Sequence, residues 1–138
     1  MSNPPQLVAR LIGINKYNNY PDLKTAADIN ADNLEKFLKE KFEGDIKSIK
    51  DGDATRDNII KELTLLQETF ERNKAILFFF SGFGGETSAG TSIICPADIG
   101  KDKDKDSPGI TDQTLIQMFD NISRARGNNI VSNLNFDS

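Results

Sequence analysis

Hydrophobic residues fall along this chain in short blocks separated by longer polar stretches with helical spacing. Leu7 to Ile14 is almost wholly apolar, broken only by Arg10, and reads as a buried strand. Asn15 to Pro21 is rich in turn formers. A helix is expected from Thr25 to about Phe42, with Ala27, Leu34, Phe37 and Leu38 on its buried face and Gly44 as its stop. A short strand, Asp45 to Ile49, leads into a turn at Asp51-Gly52-Asp53. Thr55 is placed to cap a second helix from Arg56 to about Asn73, whose stripe is Ile59, Ile60, Leu63, Leu66 and Phe70. Ala75 to Phe80 is an unbroken apolar run, the mark of a strand buried on both faces, with Leu77 at its centre. It runs into Ser81-Gly82-Phe83-Gly84-Gly85, where glycines predict a sharp turn and a close approach to a ligand. Thr91 to Pro96 is a short extended piece. Thr111 is placed to cap a third helix carrying Leu115, Ile116, Phe119 and Ile122, closed by Arg124 and Arg126 at the negative end of its dipole. Asn129 to about Phe136 forms the last strand.

Strands alternating with helices imply crossover connections, hence an α/β fold: a mostly parallel sheet with helices on both faces. Ser132, Asn133 and Asn135 are polar where a central strand would be apolar, so the last strand reads as an exposed edge. The chain is expected to be one domain over residues 1–138, with a flexible amino terminus at 1–6. Residues 101–109, which open with alternating Lys and Asp, are expected to be a mobile, solvated loop.

Composition narrows the function. A net charge of −4 argues against broad binding of nucleic acid or anionic membrane. The single cysteine, Cys95, excludes an internal disulfide framework and suits a reducing compartment. No secretory signal is visible and no run reaches transmembrane length, so a cytoplasmic location is expected. The chain has no histidine, so no imidazole is available for acid–base work.

Several segments in series resemble the caspase and metacaspase family, the C14 peptidases. They are Ala9-Arg-Leu-Ile-Gly-Ile-Asn15, Leu23-Lys-Thr-Ala-Ala-Asp28, Ala54-Thr-Arg-Asp-Asn-Ile59, Phe78-Phe-Phe-Ser-Gly-Phe-Gly-Gly85, Cys95-Pro-Ala-Asp98 and Ile110-Thr-Asp112. The resemblance implies a three-layer α/β/α caspase-like fold, truncated after the fourth main strand, that corresponds to the large-subunit half of the family. In that family the Ser-Gly-His-Gly-Gly segment carries the catalytic base, and Phe83 stands at that position. The family's last strand ends in Asp-x-Cys, which places Asn135 on the aspartate that anchors a basic substrate side chain and Asp137 on the nucleophile. The resemblance therefore implies a degenerate peptidase site at Phe83, Asp137 and Asn135, since an aspartate cannot form the thioacyl enzyme that a thiolate forms. Asp98 and Asp112 match two calcium-site positions of calcium-requiring relatives. Two carboxylates fall short of the six to eight oxygen ligands typical of calcium, so at most weak calcium binding and otherwise no cofactor is expected.

Two functional readings follow. In the first, the chain is an inactive caspase-like pseudopeptidase that binds a protein partner, such as an active caspase-like relative. In the second, the fold is reused for RNA-directed chemistry, as in a ribosome-inactivating rRNA N-glycosidase or ribonuclease toxin. That chemistry calls for a carboxylate, cations and aromatic faces, with Glu86, Asp137, Arg10, Lys16, Arg124, Arg126, Tyr17 and Tyr20 as candidates. For self-association the sequence leaves two states open, a monomer or a homodimer paired through the last strand.

Overall fold

The structure is a computed structural model. It describes residues 6–18, 27–68, 75–86, 89–100, 109–126 and 130–137. Residues 1–5 of the expected flexible amino terminus, most of the charged 101–109 loop, Tyr20 and Phe70 lie outside the described residues, whereas Gln6, expected in that terminus, opens the first strand. The chain runs through β1 (Gln6–Gly13), α1 (Ala27–Lys41), β2 (Glu43–Lys50), a 3-10 turn (Asp51–Asp53), α2 (Arg56–Glu68), β3 (Ala75–Glu86), β4 (Ser92–Ile94), β5 (Ile110–Thr111), α3 (Asp112–Arg126) and β6 (Ile130–Asp137). β1 pairs in parallel with β2 on one side and β3 on the other, and β3 pairs in parallel with β6. The parallel sheet is therefore ordered β2-β1-β3-β6, with the polar last strand beside β3 and no described strand beyond it.

Alternation along each strand divides the core into two layers. Val8, Ile12, Ile76, Phe78 and Phe80 face α2 and α3, where they meet Ile59, Leu63, Leu66, Leu115 and Ile122. Leu7, Ala9, Leu11 and Phe79 face the other way, onto Ala31 and Leu38 of α1. Helices thus cover both faces, as the strand–helix alternation requires. Thr55 and Thr111 cap α2 and α3 as expected, each accepting a backbone N–H three residues on, from Asn58 at 3.3 Å and Thr114 at 3.1 Å.

The structure corrects the sequence reading in four places. β3 does not turn at Ser81–Gly85 but continues to Glu86, exchanging parallel neighbours for antiparallel β4 through Gly84↔Ile94 and Gly85↔Ile93. A two-residue strand, β5, precedes α3 and pairs with β4. Leu77 is only half-buried, and Phe37 and Ile116 are 53% and 65% exposed. A helical stripe assigns an apolar residue to a face, but whether that face is covered depends on the neighbouring element. Finally, Gly44 lies within β2, not at a helix stop, and β2 begins at Glu43.

Candidate functional site

The carboxyl ends of the parallel strands converge where β3 changes partners. Phe83 is the crossing point. On one side the register pairs it with Asp137 of β6, and two residues earlier Ser81 pairs with Asn135. On the other side its carbonyl accepts the Cys95 N–H at 3.0 Å. The sequence resemblance gave the base and nucleophile positions to Phe83 and Asp137, and the backbone register makes them direct neighbours on adjacent strands.

What fills this junction is Tyr17. Its hydroxyl accepts the Phe83 N–H at 2.7 Å and donates to the Cys95 carbonyl at 3.1 Å. Its ring packs on Phe83, with centroids 4.8 Å apart at 42°. Burial pushes the hydroxyl far above its ordinary range, against the smaller opposing effect of the Phe83 N–H. Tyr17 is therefore a neutral clasp that ties β3 to the start of the Cys95 segment. The loop that delivers it is itself held, because Asp51 accepts the backbone N–H groups of Asn15 and Lys16 at 2.9 and 3.0 Å. Asn15 in turn accepts the Ala27 N–H at 3.1 Å, tying the same loop to the start of α1. Asp51 does this with φ at 46°, a left-handed conformation in which Asp is among the better tolerated residues.

The clasp explains Gly82. A Cβ there would stand 2.7 Å from the Tyr17 hydroxyl, so glycine supplies room, not an unusual backbone angle. Tyr17→Phe is expected to destabilise the protein by about 1–3 kcal/mol, because a backbone N–H and a carbonyl lose their partner inside the fold. Gly82→Ala is expected to cost less in a Tyr17→Phe background than in the wild type. Urea unfolding of the two single variants and the double variant measures the coupling, and additive losses would mean the hydroxyl does not set the need for glycine.

The remaining sequence candidates do not assemble around this junction. Asp98 accepts the Arg56 N–H at 3.0 Å at the first turn of α2, and Asp112 accepts the Gln113 N–H at 2.8 Å at the first turn of α3. Each carboxylate serves a different helix amino terminus, which suits the positive end of a macrodipole. Among the described residues no three His, Cys, Asp or Glu side chains gather as a metal-binding group. Of the RNA-directed set, Tyr17 is buried and committed as above, and Glu86 is exposed at the end of β3. Arg124 is exposed on α3 and pairs with Asp120 at 3.0 Å. Arg124 and Arg126 close α3 just before β6 begins opposite Ile76, at the far end of β3 from Glu86. At about 3.3 Å per residue, that separation is on the order of 30 Å. The structure does not bring these groups together. The side chains of Arg126, Asn135 and Asp137 lie outside the described residues.

A second cluster went unpredicted, and it removes Arg10 from the RNA-directed set, because the side chain is buried and committed to internal carboxylates. Arg10 is buried at 4% exposure within β1 and donates to Glu62 of α2 at 2.7 Å. It also pairs with Asp45 of β2 at 3.1 Å, while Lys47 reaches the other oxygen of Glu62 at 2.8 Å. The signal was present in the sequence as the one charge interrupting an apolar strand. Such a residue in a strand flanked on both sides requires buried counter-charges.

A four-stranded parallel core between helical layers, with a glycine-rich strand end beside the carboxyl end of the last strand, defines a caspase-like α/β domain. The Caspase domain family model, peptidase C14, matches residues 6–126, and the chain belongs to that family. A search of curated protein sequences returns no significant match. Among solved structures, the chain is similar to protein GSU0716 from Geobacter sulfurreducens, with a TM-score of 0.73 at 14% identity. The match covers 94% of this chain and 49% of the Geobacter chain, so the present chain spans about half the length of that structure. Among the described residues no helix is long and apolar enough to cross a membrane.

Proposed function

We propose that this chain is a caspase-like domain that does not cleave peptides and instead acts by binding another protein. The observation that carries the reading is the pairing of Phe83 with Asp137 at the two positions where the family resemblance puts base and nucleophile. A phenyl ring can neither accept nor return a proton, and the sequence contains no histidine to replace it. Cys95 is the single thiol, and its backbone is tied to Phe83 and Tyr17, while no imidazole exists to draw off its proton. Phe83 is half-buried with its ring against Tyr17, so an apolar ring stands at the family's base position, which favours a binding role over a reaction centre. The role calls for no cofactor.

The test is turnover of an arginine-containing fluorogenic peptide by the purified protein, beside the double substitution Phe83→His and Asp137→Cys. Neither protein is expected to cleave the peptide, because Asn135 leaves the specificity anchor without charge and the Tyr17 clasp remains in place. Turnover by the wild type that survives repurification would end the inactive reading. Turnover by the double variant alone would mean that the remaining groove is complete and only the dyad was lost.

A further inference from the structure

β2 lies mid-chain, between α1 and α2, and pairs only with β1 among the described strands. Its charges are segregated: Glu43 and Asp45 in the first half, Lys47 and Lys50 in the second. Odd-numbered positions face α2, where Ile49 joins the core of Ile59 and Leu63 and Lys47 reaches Glu62. Even-numbered positions face α1, where the Ser48 hydroxyl donates to Glu35. On the α2 side the strand borders a groove of about 270 Å³, lined around Ile49 by Lys47, Asp53, Asn58, Lys61 and Glu62. Glu62 is already shared by Arg10 and Lys47. Lys61 is exposed and, among the described residues, has no carboxylate partner, and exposed Glu43 has no cation.

Edge lysines ordinarily keep strands from pairing. The segregation of charge reverses that effect for one partner, a second β2 running antiparallel. About a two-fold axis normal to the sheet, both copies keep α2 on the same side, so odd positions face odd and even face even. The centre of pairing then decides the charges. Centred on Gly44, Glu43 faces the partner's Asp45; centred on Asp45 or Lys47, that residue faces itself; centred on Ser48, Asp45 faces the partner's Asp51. Each sets like charges opposite one another, which is destabilising. Centred on Ile46, Asp45 faces the partner's Lys47 twice over, and Glu43 faces the partner's Ile49, beside Lys61 and Asn58 in the groove. Asp45 and Lys47 are half exposed, so both can reach across. The helices do not obstruct this pairing. With strands about 4.8 Å apart, the two β1 strands would stand roughly 14 Å from each other, and α1 packs over β1. That exceeds the 8–10 Å or so of helices in contact.

We propose that β2 is a self-association edge: two copies pair antiparallel through β2 about a two-fold axis at Ile46, and each copy's Glu43 enters the other's Lys61 groove. The inference stands apart from the binding role above, because it concerns the edge of the parallel sheet opposite β6. Main-chain hydrogen bonds join the two sheets into one. The Arg10–Glu62–Lys47 chain continues through the partner's Asp45 to the partner's Arg10, which closes a ring of alternating charge around the axis. One eight-residue strand from each copy is a small contact beside the roughly 800 Å² per partner of a standard interface, so the dimer is reversible and depends on concentration.

The test is sedimentation of the wild type and of the charge reversals Glu43→Lys and Lys61→Glu. Each reversal is expected to weaken dimerisation about tenfold or more, since it sets like charges in both grooves. An equimolar mixture of the two single variants should recover most of the lost association, because in the mixed dimer every groove again holds opposite charges. The double variant should recover it alone. Both side chains are exposed, so urea midpoints matching the wild type serve as the folding control. Amide exchange within Glu43–Lys50 should slow as the dimer forms. A wild type that stays monomeric up to about 1 mM would overturn the proposal. So would a dimer indifferent to both reversals, a loss that mixing does not repair, or exchange protection that appears in β6 and not in β2.

Discussion

Phe78→Ala is expected to lower stability by about 3–5 kcal/mol, the usual range for truncating a buried aromatic ring. Phe78 is 0% exposed in the middle of β3, paired on one side with Arg10 of β1 and on the other with Ser132 of β6. Its ring meets Phe119 of α3 with centroids 5.5 Å apart at 57°, so removing it opens a cavity between sheet and helix. The neighbouring Leu77→Ala should cost markedly less, although both residues lie in the same apolar run. Leu77 points to the α1 face, where it is half-buried at the floor of the open groove, and part of its side chain already meets solvent. Urea denaturation of the two variants with unchanged slope measures the difference. Equal losses would mean that the α1 face is as well covered as the α2–α3 face.

This contrast marks how far the sequence was legible. Apolar runs and helical stripes located the main strands and helices, and with them the α/β class, because those patterns follow from periodicity alone. The same patterns cannot say which side of a strand will be roofed. Phe37 and Ile116 fit their stripes as well as Leu38 and Leu115 do, yet only the latter pair is buried. Glycines misled for a related reason. Gly82 to Gly85 suggested a turn, but β3 passes straight through them, and Gly82 is small because Tyr17 presses on it from 65 positions earlier in the chain. The same limit applies to the site. Phe83 and Asp137 could be matched to family positions by local motifs, whereas the Tyr17 clasp depends on three segments meeting: the loop after β1, the end of β3 and the Cys95 segment. Pairwise reading of the sequence offered Tyr17 as an exposed aromatic face because it follows a strand in a turn-rich loop. Asp51, which anchors that loop, is what turns the ring inward.

Arg10→Met should be among the most damaging single changes, with a loss of about 3–5 kcal/mol, because it strands a carboxylate in the interior. The Arg10 and Glu62 side chains are 5% and 10% exposed, whereas Asp45 and Lys47 are about half exposed and can turn to water. Burial alone would raise the pKa of Glu62, but hydrogen bonds and charge from Lys47 and Arg10 outweigh it and hold the carboxyl below its ordinary value. A carboxylate whose folded pKa is depressed stabilises the fold above its unfolded value, near 4.3, and loses that contribution as pH falls through the lower folded value. In Arg10→Met the burial effect is opposed by Lys47 only, so the folded pKa should rise and acid unfolding should begin at higher pH than in the wild type. Adding Glu62→Leu removes the stranded charge. The double variant is therefore expected to recover most of the lost stability, since an apolar pair of similar volume can replace a buried ion pair, and its acid midpoint should no longer depend on this carboxyl. Urea midpoints at neutral pH and acid titrations of the wild type and both variants decide the matter. A double variant as unstable as Arg10→Met alone would mean that Arg10 contributes through its contacts with β2, including the Asp45 carbonyl it reaches at 3.1 Å, and not through Glu62.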